Sequence, residues 1–218
     1  MGPVRVERCF AFVDLCGFTA YAERHGDGAA VAALTALRTT LREVAARRGV
    51  RVVKWLGDGA MLSATEPAPV VALVVEVTAR AEARGVPLAV RAGLAAGPVI
   101  MFEGDDYVGR PPNVASRLCG AAEPGGVLAT PDVATAAPTW VKVTARSAFD
   151  VPGLDGPVET LRLEVDPSLP RTRDPWCGLD LPAAVDLVGG DGRGESFCSE
   201  ACASAWADAH LHPTPAST

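Results

Sequence analysis

Residues 51–63, RVVKWLGDGAMLS, read as a β-hairpin. Val52, Val53, Trp55 and Leu56 favour a pleated strand, Met61 and Leu62 resume the apolar run, and Asp58-Gly59 between them is the expected turn pair. The hairpin puts Lys54 before the turn and Asp58 at its tip, where a carboxylate is exposed enough to hold a cation. Alone, the pattern is ordinary. Asp-Gly is a common turn pair and a lysine on a strand usually faces water.

The flanking segments supply the fold. Residues 10–15, FAFVDL, are apolar apart from Asp14, the pattern of a central strand buried on both faces. A carboxylate there needs a metal, an arginine or backbone donors beside it, because burial without a partner costs on the order of several kcal/mol. Residues 15–19, LCGFT, form a short turn with Thr19 expected to cap the next helix and with amides able to face phosphates. Val31, Leu34, Leu37, Leu41 and Val44 give an amphipathic helix over residues 28–47, ended by Gly49. Residues 68–83 repeat the pattern between Pro67 and Gly85. The charges of both helices are expected on solvated faces. Strands are expected over 88–94, 127–129, 140–144 and 158–165, and residues 104–117, GDDYVGRPPNVASR, form a loop running into a helix. Asn113 and Arg117 fall at i and i+4 of that helix, on one face, with Val114 and Leu118 turned elsewhere toward the core. The order is α+β: a ferredoxin-like βαββαβ core with extra strands.

At 218 residues and 49% apolar composition, the chain holds one good domain and a small appendage. A net charge of -6 without a basic cluster argues against nucleic acid or an anionic membrane surface as partner. Residues 1–8 lack the apolar core of a signal peptide, and the run 70–77, broken by Glu76, is too short to span a bilayer. The expected location is the cytoplasm.

Four motifs in order, FAFVDLCGFT (10–19), KWLGDG (54–59), RAGLAAG (91–97) and GDDYVGRPPNVASR (104–117), resemble the catalytic domain of class III nucleotidyl cyclases, the adenylate and guanylate cyclase family, over about residues 8–165. The resemblance implies a homodimer with active sites at its interface. It implies that Asp14, Asp58 and the Leu15 carbonyl hold two Mg2+ or Mn2+ ions, and that Cys16, Gly17, Phe18 and Thr19 bind the triphosphate. From the other subunit, Asn113 would orient the ribose and Arg117 would meet charge at the α-phosphate. Lys54 and Asp106, also from that other subunit, match the positions that read the base. A lysine donor and an aspartate acceptor complement N1 and N6 of adenine, so ATP is the expected substrate and 3′,5′-cyclic AMP with pyrophosphate the products. Two departures stand out. Pro152, in Val151-Pro152-Gly153, replaces a triphosphate-binding lysine common in the family, and Arg110-Pro111-Pro112 replaces a more polar turn. Pro152 keeps a second reading open, a cyclase-like domain that binds nucleotide and relays a signal without turnover.

Of the six cysteines, Cys9, Cys16 and Cys119 lie in apolar patterns and behave as small hydrophobes. Cys177, Cys198 and Cys202 cluster instead, in DPWCGLDLPAAVDLVGGDGRGESFCSEACASAW (174–206), which resembles a YHS-type metal-binding module. Three thiolates suit Zn2+ or Cu+, with Asp180, His210 or His212 as candidate fourth ligands. A metal-handling protein that uses the cyclase fold only as a scaffold is the third reading. The expected organisation is a catalytic domain over 1–165, a proline-rich linker over 166–173, the module over 174–207 and a tail over 208–218.

Overall fold

The computed structural model describes residues 5–102, 106–150, 156–176, 178, 180–182, 188–189, 195–197 and 200–211. Two compact units divide the chain, Met1–Val165 and Asp166–Thr218. The first is built in the order β1 (Arg5–Leu15), α1 (Phe18–Arg48), β2 (Arg51–Leu56), β3 (Gly59–Ala64), α2 (Pro67–Arg80), β4 (Val90–Phe102), β5 (Asp106–Val108), α3 (Arg110–Ala121), β6 (Val127–Ala129), α4 (Pro131–Ala134), β7 (Val141–Asp150) and β8 (Pro157–Val165). Its sheet runs β2-β3-β1-β4-β6-β8-β7, with β5 paired to β4. The four strands β2-β3-β1-β4, crossed by α1 and α2, are the βαββαβ core expected from the apolar periodicities.

β1 is central. It pairs antiparallel with β3 on one side and with β4 on the other, from Arg5↔Ile100 to Leu15↔Val90. Burial on both faces follows, and Cys9, Phe10, Ala11, Val13 and Leu15 are buried while Asp14 is only partly so. The helix α3 rests on β4 at Gly93. A Cβ there would lie 2.1 Å from the Cys119 nitrogen and 2.3 Å from the Ala115 oxygen, distances that no side chain can meet. Val114, Ala115 and Leu118 then close over Phe10, Ala95 and Val99.

Several elements differ from the sequence reading. α1 starts at Phe18 instead of residue 28, with a break at Gly26 (φ 81, ψ 168) that interrupts its apolar stripe. β4 extends to Phe102, well past residue 94; its small residues Gly93, Ala95, Ala96 and Gly97 give no strand signal, and its full-length ladder with β1 supplies the stability instead. β7 begins at Val141, so Trp140 precedes it. The helix charges are not all solvated. Glu76 and Arg80 are each 1% exposed, and Glu76 takes Arg47, Arg48 (2.5 Å) and Arg80 (2.7 Å) together. Removing one member of such a buried set costs about 3–5 kcal/mol, because the others stay charged and desolvated.

In the second unit β9 (Arg171–Arg173) pairs with β10 (Asp180–Pro182), and β11 (Val188–Gly189) pairs with β12 (Ser196–Phe197) ahead of α5 (Glu200–Leu211). Residues 171–173, expected in a linker, therefore form a strand; the flanking prolines hid a three-residue run too short for a period to register. Phe197 packs on Trp206 with ring centroids 5.6 Å apart, and Trp206 stacks on His210 at 4.5 Å.

Candidate active site

Asp14 is the penultimate residue of β1 and stands opposite Arg91 of β4. Arg91 donates from Nη2 and Nε to Asp14 Oδ2, at 2.7 and 3.1 Å, and from Nη1 to the Gly120 carbonyl at 3.2 Å. One guanidinium thus ties β1, β4 and the end of α3 together. The sequence reading gave Arg91 no role. The available signal was an arginine heading an otherwise small and apolar strand, which requires a buried or half-buried acid nearby.

The other oxygen of Asp14 faces the hairpin. A Cβ on Gly59 would stand 3.3 Å from Asp14 Oδ1 and 2.3 Å from the Val13 carbonyl, so only glycine lets β3 start this close to β1. Gly59 is therefore a strand residue needed for close approach, and the turn is not Asp58-Gly59. Leu56 pairs with Gly59, which leaves Gly57 and Asp58 as a two-residue loop with Gly57 at φ 62. Positive φ at the first loop position favours glycine and suits the right-handed twist of the strands. Desolvation, and then the nearby charge of Asp14, pushes the Asp58 carboxyl above its ordinary pKa. Two carboxylates within electrostatic reach, one with an oxygen left over from its arginine, form a hard-oxygen donor set that suits Mg2+ or Mn2+ and that a divalent cation would relieve. Beside them lies a shallow pocket of about 170 Å3 lined by Phe12, Asp14, Leu56, Gly59 and Cys119 among others.

After β1, the Cys16 amide donates to the Ala89 carbonyl at 2.9 Å and Gly17 turns left-handed (φ 74, ψ 24). Gly17, not Thr19, is the N-cap of α1. Thr19 falls inside the first turn, and no side chain caps the helix. The first-turn amides around Phe18 and Thr19 are thus left for an outside acceptor, which an anion can supply.

Lys54 and Asp106 meet directly, Nζ to Oδ1 at 2.6 Å, linking β2 to β5. Both side chains are about half exposed, and the lysine hydrogen bond, with smaller help from its charge and the Tyr107 amide, holds the Asp106 carboxyl below its ordinary pKa. On α3, Asn113 and Arg117 are exposed while Val114 and Leu118 are buried. Among the described residues neither Asn113 nor Arg117 has a side-chain hydrogen bond or ion pair. Pro111 and Pro112 are buried in the first turn of α3, and Arg110 helps line a cavity of about 570 Å3 between β4, α3 and β8.

The model of the adenylate and guanylate cyclase catalytic domain matches residues 6–164. The chain belongs to that family. It is 35% identical over 175 residues to an uncharacterized protein of Mycobacterium tuberculosis, covering 80% of this chain and 44% of that protein. It is 34% identical over 123 residues to a pH-sensitive adenylate cyclase of Mycobacterium tuberculosis, covering 56% of this chain and 30% of that one. The chain thus spans under half the length of the curated relatives it matches. The cyclase domain also shares its fold with adenylate cyclases of Trypanosoma brucei solved in their monomeric state, at a TM-score of 0.65 and 23% identity, over 74% of this chain and 89% of that chain.

Outside the cyclase domain, Cys202 is buried on α5, and Cys177 and Cys198 lie outside the described residues. Among the described residues no group of three or more His, Cys, Asp or Glu is placed to hold a metal ion. His210 Nδ1 lies 2.9 Å from the Trp206 carbonyl. Residues 151–155, with Pro152, also lie outside the described residues. Among the described residues no helix is long and apolar enough to cross a membrane.

Proposed function

We propose that the cyclase domain is an adenylate cyclase that converts ATP to 3′,5′-cyclic AMP and pyrophosphate at the interface of a homodimer. The observation that carries the choice of base is the Lys54–Asp106 pair. Its lysine offers a donor to adenine N1 and its aspartate an acceptor to the N6 amine, whereas guanine presents the opposite pattern and would leave both groups mismatched. Asp14 and Asp58, with the Leu15 carbonyl, would hold Mg2+ or Mn2+, which when bound activates the ribose 3′-hydroxyl and neutralises the leaving pyrophosphate. The uncapped turn from Cys16 to Thr19 takes the triphosphate. Asn113 orients the ribose, and Arg117 offers its guanidinium to charge developing at the α-phosphate. Both, like Lys54 and Asp106, come from the second copy, a role supported for Asn113 and Arg117 by their exposure without side-chain partners among the described residues. Loss of a fixed donor of this kind lowers the rate by on the order of a hundredfold or more.

The test is incubation of the purified protein with ATP and Mn2+ or Mg2+, followed by chromatographic identification of the product. Cyclic AMP, formed faster than cyclic GMP is from GTP, supports the reading. Nucleotide binding without product favours the second reading, for which Pro152 in place of the family's lysine speaks. In the second unit, Cys177, Cys198 and Cys202 would hold one Zn2+ or Cu+, a proposal resting on the chemistry of three thiolates in a segment with little core. Equal metal content in the triple serine variant refutes it.

A further inference from the structure

The loop at the hairpin tip is only Gly57 and Asp58, and β2 is the last strand of its sheet. Among the described residues no strand pairs with β2 on its outer edge, and α1 contacts β2. Arg38 of α1 donates from Nη2 to the Gly57 carbonyl at 3.2 Å, and its guanidinium lies over the Trp55 ring at 5.1 Å from the centroid. Arg42, one turn on, lies over the same ring at 5.0 Å. The Gly57 carbonyl and the Asp58 amide share one rigid peptide plane, so holding that oxygen fixes where the Asp58 backbone begins. The ladder to β3 holds Leu56 against Gly59 beside this plane, and β2 is bulged further back, between Val52 and Lys54.

We infer that Arg38 is a positioning residue: through the Gly57 carbonyl it sets the approach of Asp58 to Asp14, with the Trp55–Arg42 stack as a second anchor on the same strand. The inference rests on the two-carboxylate reading given above and deepens it. A planar guanidinium can donate to the carbonyl and stack on indole at once, and a lysine ammonium cannot reproduce that combination.

The test uses the full chain with Arg38→Ala, Arg38→Lys and Arg42→Ala. Hydrogen exchange over residues 56–60 is read together with Mn2+ affinity, measured by electron paramagnetic resonance in the presence of a non-reacting ATP analogue. Arg38→Ala is expected to speed exchange at the tip about tenfold and weaken Mn2+ about tenfold, while thermal unfolding moves by only a few degrees. Arg38→Lys should restore part of each, and Arg42→Ala should change both less. Unchanged tip exchange in Arg38→Ala overturns the inference, as does unchanged Mn2+ affinity where the wild type binds the ion. A wild type that binds no Mn2+ overturns the two-carboxylate reading itself and the role of Arg38 with it. Should Arg38→Ala fail to fold, Arg38→Gln keeps a donor without the charge and is read against the same outcomes.

Discussion

The end of β1 and the outer face of α3 are prepared in opposite ways. At β1 and the strands beside it, charges find counterparts in their own chain: Asp14 takes Arg91, and Lys54 takes Asp106. On α3, Asn113 and Arg117 stand exposed, with no such contact among the described residues. The first set is organised by folding alone, before any nucleotide arrives. The second is exposed, and in the proposed site its counterparts come from substrate bound to another copy. The proposed composite site cuts across this contrast, taking Asp14 and Asp58 from one copy and Lys54, Asp106, Asn113 and Arg117 from the other, so breaking either set in one chain should leave the other set usable by a neighbour.

The largest expected effect tests that division directly. Asp58→Ala and Arg117→Ala proteins should each lose cyclase activity by about a hundredfold or more. Mixed in equal amounts with random exchange, half of the dimers pair one of each, and every mixed dimer keeps one intact site, so activity should return to about a quarter of wild type. An inactive mixture, with exchange verified by pull-down of a tagged subunit, would place both roles in one chain. Next in size is base choice. Replacing Lys54 by Glu and Asp106 by Ser reverses donor and acceptor and should move the ATP-to-GTP rate ratio about tenfold or more toward GTP. A ratio that does not move would mean that the base is read elsewhere.

A smaller effect concerns stability. The folded Asp58 carboxyl keeps its proton to higher pH than the unfolded chain does, so stability is gained as pH falls through that range and the ionised group is a small cost at neutral pH. Asp58→Asn should therefore raise the melting temperature by about a degree or two at pH 7 while abolishing turnover, and the gain should vanish in acid. A lower melting temperature at pH 7 would contradict the electrostatic account of the tip. The smallest effect is chemical. Burial pushes the thiols of Cys9 and Cys119 up to about 12, so iodoacetamide at pH 7.5 should leave both unmodified in the native protein. Mass spectrometry showing Cys119 labelled as fast as in denaturant would mean that α3 lifts from the sheet.

The hairpin, the buried strand with its single acid and the i, i+4 pair on α3 were legible because each rests on a local rule of period or turn. What escaped was set by distant neighbours. Gly59 looked like half of a turn pair, yet its glycine character answers to the Val13 carbonyl across the sheet. The small residues of β4 gave no strand signal of their own and take their structure from β1. Glu76 and Arg80 looked like an ordinary solvated helix pair until Arg47 and Arg48 arrived from the end of α1. Arg91 had no assigned role until it stood across from Asp14. In the second unit, two of the three cysteines lie outside the described residues, so that reading stands on residue chemistry alone.

At Gly93 the meeting of α3 and β4 is main chain against main chain, with no side chain between them to re-pack. A helix seated this way has no slack: rolling or sliding it would open a void on one side or drive atoms together on the other. Within one chain, the backbone positions of Arg117 and Asp14 are consequently fixed relative to each other as if cast in one piece. In the proposed homodimer, the freedom left for assembling or dismantling the composite site would be the angle between the two copies. If the proposed composite site holds, whatever grips that angle would control the reaction without touching a catalytic side chain.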